Sequence, residues 1–420
     1  MGAWEGIASM IDLIAPPPPT GAGQNFAQVL TTYGPLLIAI NRQNKVEASS
    51  LRKFAKPRVV VSRCIEFDHC RYNGQMIASD FVAGLAPYVE FLPVCPEVEI
   101  GLGVPRDSVR LVSSALKGGE VGDRGESVES VESVEGAEGC AGGEGGEGSG
   151  GEGGKGGVAK ISLIQPTTGR DVTADMNTFA SGYLASVGEV DGFILKASSP
   201  SCGIKNTKVY PTAGKSAAIS RSGSGLFGGS VLARYPELSV EDEGRLRNPR
   251  IKEHFLTKLF ALASFREAKR SGSMRELVSF QTENKMLLMA YHQAEAKALG
   301  KIAANHDHSP FPEVAASYEL HLRRALCRPR RYTSNINVLM HILGHFSDRI
   351  SAGERELFLE NIQRYRDGKI TICPNTTILK SWIARFDDDY LSSQTFFEPY
   401  PQDLIEVDPI VSHRGRDLWR

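Results

Sequence analysis

The sequence predicts two unlike halves: an α/β N-terminal domain with a mainly parallel sheet, followed by an all-α C-terminal domain. Three observations carry this. From about residue 57 to 245, short β-branched runs alternate with helix-length stretches, the order in which strand and helix units build a parallel sheet. From residue 246 onward, apolar residues recur at three and four spacing over long stretches such as 248–272 and 354–369, which is the period of buried helix faces. Between the two, "SVEDEGRLRNP" (239–249) is polar and ends in proline, a boundary signal.

Taken in order, residues 1–56 read as a flexible leader. Glu5 and Asp12 precede the first basic residue, Arg42, and the run "APPPPTG" interrupts any helix, so no targeting pattern is present. "RVVVS" (58–62), "YVEFLPV" (88–94), "KISLI" (160–164) and "GFILKAS" (192–198) read as strands, with helices expected over "SDFVAGLAPY" and "TADMNTFASGYLASVG". Residues 118–157 hold ten acids, two bases and 17 of the 43 glycines. So little apolar material favours a disordered surface loop inside the domain of residues 57–245. The net charge of -1 therefore conceals a mildly basic remainder, which permits a polyanionic partner. A helical domain is expected over 246–404 and a tail over 405–420. The sequence has no apolar run of about 18 residues, which argues against a membrane protein and for a cytoplasmic one. Seven cysteines, an odd number at no regular spacing, argue against a disulfide framework and read as reduced thiols.

Three of those cysteines end strand-like runs. Cys64 follows "VVVSR", Cys95 follows "EFLPV" and Cys202 follows "LKASSPS". In a parallel sheet, reactive groups gather at the carboxyl ends of strands, so three segments can bring three thiols to one edge. A small buried hydrophobe is the plain alternative for each. The neighbours favour a shared centre: Glu97 and Glu99 follow Cys95, and Gly203 follows Cys202 directly. Gly and Pro beside a cysteine suit iron–sulfur ligands, whose sulfurs need backbone N–H donors close by. Cys70, in "DHCRYNG", competes but reads as a turn; Cys140 falls in the acidic insert, and Cys327 and Cys373 fall in the helical half.

At these residues the chain resembles the thiouracil desulfidases (TudS-like), in the longer YbgA-like form that carries a helical C-terminal domain. The matching stretches are "SRC" with "CRYNG", "FLPVCPEVEIGLGVPRDSVRL", "TGRDVT" and "DGFILKASSPSCGIKNTKVY", then "GLFGGSVLARYPELSVEDEGRL", "ENKMLLMAY" and "NINVLMHILGHF". The resemblance implies a non-redox desulfidase holding a [4Fe-4S] cluster on Cys64, Cys95 and Cys202, with the remaining iron open to the sulfur of a thiolated nucleobase. Glu97 is then the first candidate to shuttle the water proton and Glu99 the second, while Ser199 would hydrogen-bond the base or the developing charge. The family's usual Leu-Leu-Gly and the Asp of its turn are replaced here by Ile65-Glu66-Phe67 and Asn73, so a catalytic role for that turn position is in doubt.

The YbgA-like form implies 4-thiouridine, in transfer RNA or as a free nucleotide, as substrate. Residues 247–399 carry 23 Lys and Arg against 17 Asp and Glu. Arg323, Arg324, Arg328, Arg330 and Arg331 fall within nine residues beside Tyr332. Such a cluster neutralises phosphates and stacks on exposed bases, and a solvated helix end is its plain reading. Free thiouracil as substrate, with the helical half serving assembly, and a non-enzymatic RNA-binding protein with structural or zinc-bound cysteines are the competing readings. His341 and His345 share a helical face without a third ligand and read as satisfied or RNA-facing. "GSGLFG" (223–228) fits a dinucleotide glycine pattern but lacks the leading strand; it opens a helix whose free N–H groups would be open to a phosphate.

Overall fold

The computed structural model describes residues 52–113 and 161–405. The acidic insert 118–157, nearly all of the leader and all but the first residue of the tail lie outside the described residues. From Phe54 onward the described chain belongs to one compact unit.

Eight strands are described: β1 (Arg58–Ser62), β2 (Glu90–Val94), β3 (Arg110–Ser113), β4 (Ile161–Ile164), β5 (Gly192–Leu195), β6 (Thr207–Tyr210), β7 (Ser220–Gly223) and β8 (Ser239–Asp242). Among them lie α1 (Asp80–Leu85), α2 (Pro96–Glu99), α3 (Thr173–Ser186) and α4 (Leu226–Arg234). The first sheet runs β2-β1-β5-β8 and is parallel throughout. Val59, Val60 and Val61 of β1 and Phe193, Ile194 and Leu195 of β5 are fully buried. Central strands covered on both faces read as continuous apolar runs, which is why these two were legible. A second sheet, β4-β3-β6-β7, is mixed. β4 was expected in the parallel sheet; instead it pairs antiparallel with β3. Apolar periodicity specifies a strand and not its neighbour. The polar stretch expected as a domain boundary also contains structure: Ser239–Asp242 is edge strand β8, paired to β5 along its length.

The C-terminal half is helical as expected, with α5 (Pro249–Arg270), α6 (Met274–Tyr291), α7 (Gln293–Ala304), α8 (Phe311–Ala325), α9 (Tyr332–Phe346), α10 (Ala352–Arg366), α11 (Cys373–Phe386) and α12 (Asp389–Ser392). Asn248 caps α5, its side chain accepting from the N–H groups of Arg250 and Ile251, and Pro249 takes the first helical position, where its missing N–H costs nothing. Phe255, Leu256, Leu259 and Phe260 of α5 share one buried cluster with Val59, Val61 and Ile194 of the sheet. At Gly192 a Cβ would stand 2.9 Å from Leu259 Cδ1 and 2.8 Å from the Ser239 carbonyl oxygen; glycine is what lets the helix close on the strands. A buried ion pair adds to this seam, Arg266 to Asp191 Oδ2 at 3.1 Å, and the same oxygen accepts the Arg58 N–H at 2.8 Å. Burial nonetheless pushes the Asp191 carboxyl up, against the pull of those cationic neighbours. The halves therefore meet through a continuous core and not through a linker.

Among the described residues no helix is long and apolar enough to cross a membrane. Cys64, Cys70, Cys95, Cys202 and Cys373 are free, whereas Cys327, expected as a reduced thiol, is disulfide-bonded. An odd cysteine count leaves one thiol over; it does not forbid a single bridge.

Candidate active site

Cys64 lies two residues past β1, Cys95 directly past β2, and Cys202 within the loop that joins β5 to β6. These three strands are neighbours in the parallel sheet, so their carboxyl ends bring the three segments to one edge, as the sequence reading required. All three thiols are buried, and Cys70 with them at 1% exposure. Cys70 was set aside as a turn residue; it contacts both Cys64 and Cys95 through its sulfur. Its carbonyl accepts a long Cys95 Sγ–H contact at 3.8 Å. The signal available in the sequence was its spacing of six from Cys64, which a tight turn folds back.

Glu97 stands inside this pocket and Glu99 does not. Cys95 caps the short helix α2, with Pro96 at its first position, which turns Glu97 inward. Its Oε1 accepts from the Ser201 hydroxyl at 2.7 Å. Its Oε2 accepts from Arg106 Nε at 2.8 Å, with a second guanidinium nitrogen at 2.6 Å. Arg106 is 4% exposed in its side chain, donates to the carbonyls of Cys70 and Gly103 at 2.9 Å each, and stands 4.0 Å from Cys95 Sγ. One guanidinium thus ties a carboxylate oxygen to two cysteine segments through several donors at once, which a lysine ammonium cannot copy. Sequence reasoning assigned Arg106 no role, although it ends the same stretch as Cys95. Glu99 instead pairs with Arg63 at the rim and is 38% exposed.

Ser199 and Asn73 have other duties than those expected. The Ser199 hydroxyl oxygen accepts from the backbone N–H of Ser201 at 3.2 Å and of Cys202 at 3.1 Å, so it shapes the loop that presents Cys202; Ser201 is the serine that touches the carboxylate. Asn73 is exposed, and its amide bonds to Gln75 at 2.8 Å in the turn. Neighbouring Tyr72 offers its carbonyl to the Arg106 N–H at 2.9 Å, so this turn supports the pocket from outside.

The glycines of "GSGLFG" form the pocket's back wall. A Cβ at Gly225 would lie 2.5 Å from the Ser201 carbonyl oxygen, and one at Gly228 2.4 Å from that of Gly203 and 2.6 Å from that of Cys202. The N–H groups of Gly225, Leu226 and Gly228 donate to the carbonyls of Gly203, Pro200 and Ser201 at 2.7, 3.2 and 3.0 Å. These donors were expected to be open to a phosphate; the cysteine loop uses them.

Electrostatically, the Cys70, Cys95 and Cys202 thiols are each pushed toward the protonated form. Bonding to Cys64 is the main reason that the Cys70 thiol is pushed up to about 11. Cys95 is raised by its contact with Cys70 and by burial. Burial raises Cys202, against the Ser62 hydroxyl, which stabilises its thiolate. Such thiols ionise when a metal centre replaces their protons. Among the described residues no three His, Cys, Asp or Glu side chains close on one point as ligands of a single ion would. In an iron–sulfur cluster each thiolate meets its own iron, so the sulfurs stand around a body several ångströms wide. The donor set suits such a body: soft thiols, and the Val98 N–H directed at the Cys95 sulfur.

In the helical half, Arg324, Arg328 and Arg331 are exposed, with Tyr332 55% exposed beside them. Arg323 is taken up by Glu319 and Arg330 by Glu253, so three of the five arginines remain open to a polyanion. His341 and His345 neighbour each other with ring centroids 5.7 Å apart, and His345 stacks on Tyr390.

Comparison with known proteins follows the same division. Residues 59–140 and 151–243 match the family described as 2-thiouracil desulfurase, and residues 285–401 match a protein family of unknown function, DUF1722. The uncharacterized protein YbgA of Escherichia coli (strain K12) is 28% identical over 155 residues, which span 36% of this chain and 92% of YbgA. Among solved structures, a [4Fe-4S]-dependent thiouracil desulfidase, TudS, aligns at 22% identity over 46% of this chain and 94% of its own, with a TM-score of 0.28.

Proposed function

We propose that this chain, which joins a 2-thiouracil desulfurase domain to a DUF1722 domain, is a non-redox desulfidase that converts 4-thiouridine in transfer RNA to uridine and sulfide. The observation that carries the reading is the gathering of buried thiols around one clamped carboxylate, Glu97.

Cys64, Cys95 and Cys202 would hold a [4Fe-4S] cluster, which supplies an iron soft enough to bind sulfur and polarise a C=S bond. The remaining work falls to protein groups. In the overall step the oxygen of water bonds to the thiocarbonyl carbon and the C–S bond breaks. Sulfur departs as hydrogen sulfide with the two protons of the water, and the carbon keeps its oxidation state. Glu97 accepts a proton from the attacking water and returns it toward the departing sulfur. Two Arg106 nitrogens take up Oε2 and the Ser201 hydroxyl takes one lone pair of Oε1, which leaves the second lone pair of Oε1 as the proton acceptor. Arg324, Arg328 and Arg331 neutralise RNA phosphates, and the target base is swung out of its stack to enter.

The test is anaerobic reconstitution, titration of iron and acid-labile sulfide, and loss of thiocarbonyl absorbance from 4-thiouridine in transfer RNA and as nucleotide. Cluster-dependent loss in RNA that vanishes in Cys202→Ala supports the proposal. A protein that assembles a full cluster yet consumes no thiolated base refutes it. A preference for free 2-thiouracil, the base in the matched family's name, would move the substrate to the competing reading.

A further inference from the structure

Away from the thiols, a cavity of about 260 Å³ opens where α5, α6, α9 and α10 converge. Its walls combine aromatic rings with an incompletely satisfied amide. Tyr291, Tyr332 and Tyr365 line it together with His254, Arg250 and Asn335. Tyr291 and His254 stack with centroids 5.6 Å apart and share a hydrogen bond of 3.2 Å. Burial holds the His254 imidazole down to about 4, so this wall is uncharged at neutral pH.

Asn335 is 5% exposed. Its Nδ2 donates to the Tyr365 hydroxyl at 3.0 Å, while its Oδ1 is buried with no hydrogen-bond partner. Whichever way the amide is turned, one end is satisfied by tyrosine and the other is not. A buried polar atom without a partner costs about 1–3 kcal/mol, and a ligand offering a hydrogen-bonding edge removes that cost. Glu253 lies at the same cavity but is neutralised by Arg330. Arg250 on its rim is exposed, and among the described residues its guanidinium has no partner.

We propose that this cavity is a nucleotide site separate from the thiol pocket, in which Asn335 bonds the edge of a base stacked on Tyr332 and Arg250 meets its phosphate. A bare anion does not account for the tyrosines, and a purely apolar ligand would leave the Asn335 amide unsatisfied. The inference rests on the RNA half of the function proposed above, because it gives RNA a place to lodge one base outside the reaction centre. Of the three open arginines, Arg328 and Arg331 lie in the segment that leads into Tyr332, and Arg324 lies in the last turn of α8 before that segment.

The test is calorimetric titration of the full chain, with and without a reconstituted cluster, using uridine monophosphate, inorganic phosphate and a short single-stranded oligouridylate. Uridine monophosphate is expected to bind. Tyr332→Ala, a surface change that cannot collapse the core, should weaken it about fivefold to a hundredfold, the range of a lost base–aromatic stack. Asn335→Leu should weaken it similarly, with its thermal transition checked alongside. Equal binding by both variants would overturn the proposal, as would displacement of the nucleotide by equimolar phosphate. Tighter binding of the oligonucleotide assigns the site to RNA, and equal binding assigns it to free nucleotides. Turnover of a free thiolated base by the reconstituted wild-type chain separates the two readings: turnover without nucleotide binding sinks only the cavity, and nucleotide binding without turnover sinks only the desulfidase.

Discussion

The thiol pocket and the arginine face differ in how far their polar groups are already committed. Around the cysteines, Glu97, Arg106, Ser199 and Ser201 each have protein partners, and glycines press the backbone into place behind them. On the helical half, Arg324, Arg328 and Arg331 stand exposed. The contrast suits the two roles proposed for these surfaces. A reaction centre gains from groups that need no reorganisation as charge develops. A phosphate-binding surface gains from long mobile cations that follow a polyanion and release its counterions.

The largest break in that contrast is removal of a thiol. Cys202→Ala and Cys95→Ala are expected to lose bound iron and all turnover, whereas Cys70→Ala, which removes the fourth buried thiol, should retain the iron of the wild type. Iron and sulfide assays decide this, and iron loss on replacing Cys70 would make it a ligand. Next in size is Glu97→Gln, which keeps the shape and removes the proton acceptor. A fall in kcat of about 10²–10⁴ with iron content unchanged is expected; an unaltered kcat would assign the proton transfer elsewhere.

Gly228→Ala sharpens the comparison from the structural side. Its methyl would meet the carbonyls of Gly203 and Cys202, and overpacking of this kind costs about 1–3 kcal/mol. Denaturant unfolding together with iron retention should both suffer, because the strained loop carries a ligand. An adjacent change at Gly229, whose nearest neighbour is the Ser224 side chain, should be milder. The smallest effect belongs to the mobile surface. Replacing Arg324, Arg328 and Arg331 together with alanine should flatten the slope of log affinity against log salt by about 3 for transfer RNA. Turnover of a free thiolated base should stay as it was. An unchanged salt slope would place the RNA elsewhere.

Much of this molecule was legible without coordinates. Val59 to Val61 and Phe193 to Leu195 announce central strands because strands covered on both faces have no polar side to alternate with. The helices beyond residue 246 announce themselves by period. β7, "SRSG", and β8, "SVED", gave no such signal, since both are edge strands built almost wholly of polar residues and glycine. Among the candidate site residues, the placement of Cys64, Cys95 and Cys202 beyond three strands was readable, and Glu97 was singled out through the family resemblance. Ser201, Arg106 and Cys70 were not, because their roles depend on hydrogen bonds across turns and between segments up to about a hundred residues apart. Preferring Ser199 to Ser201 shows the limit: two serines flank one proline, and only the loop's fold decides which faces the carboxylate.

The sequence by itself determined the central strands and the C-terminal helices, and that three thiols would follow three strands, because side-chain period and strand-end placement are local properties of the chain. Tertiary structure alone decided that β4 joins a second sheet, that the glycine pattern backs the cysteine loop, that one arginine clamps Glu97, and which arginines stay open. Each of these depends on close approach between segments distant in sequence, where fit and unpaired hydrogen-bonding groups select one arrangement among many of similar local preference.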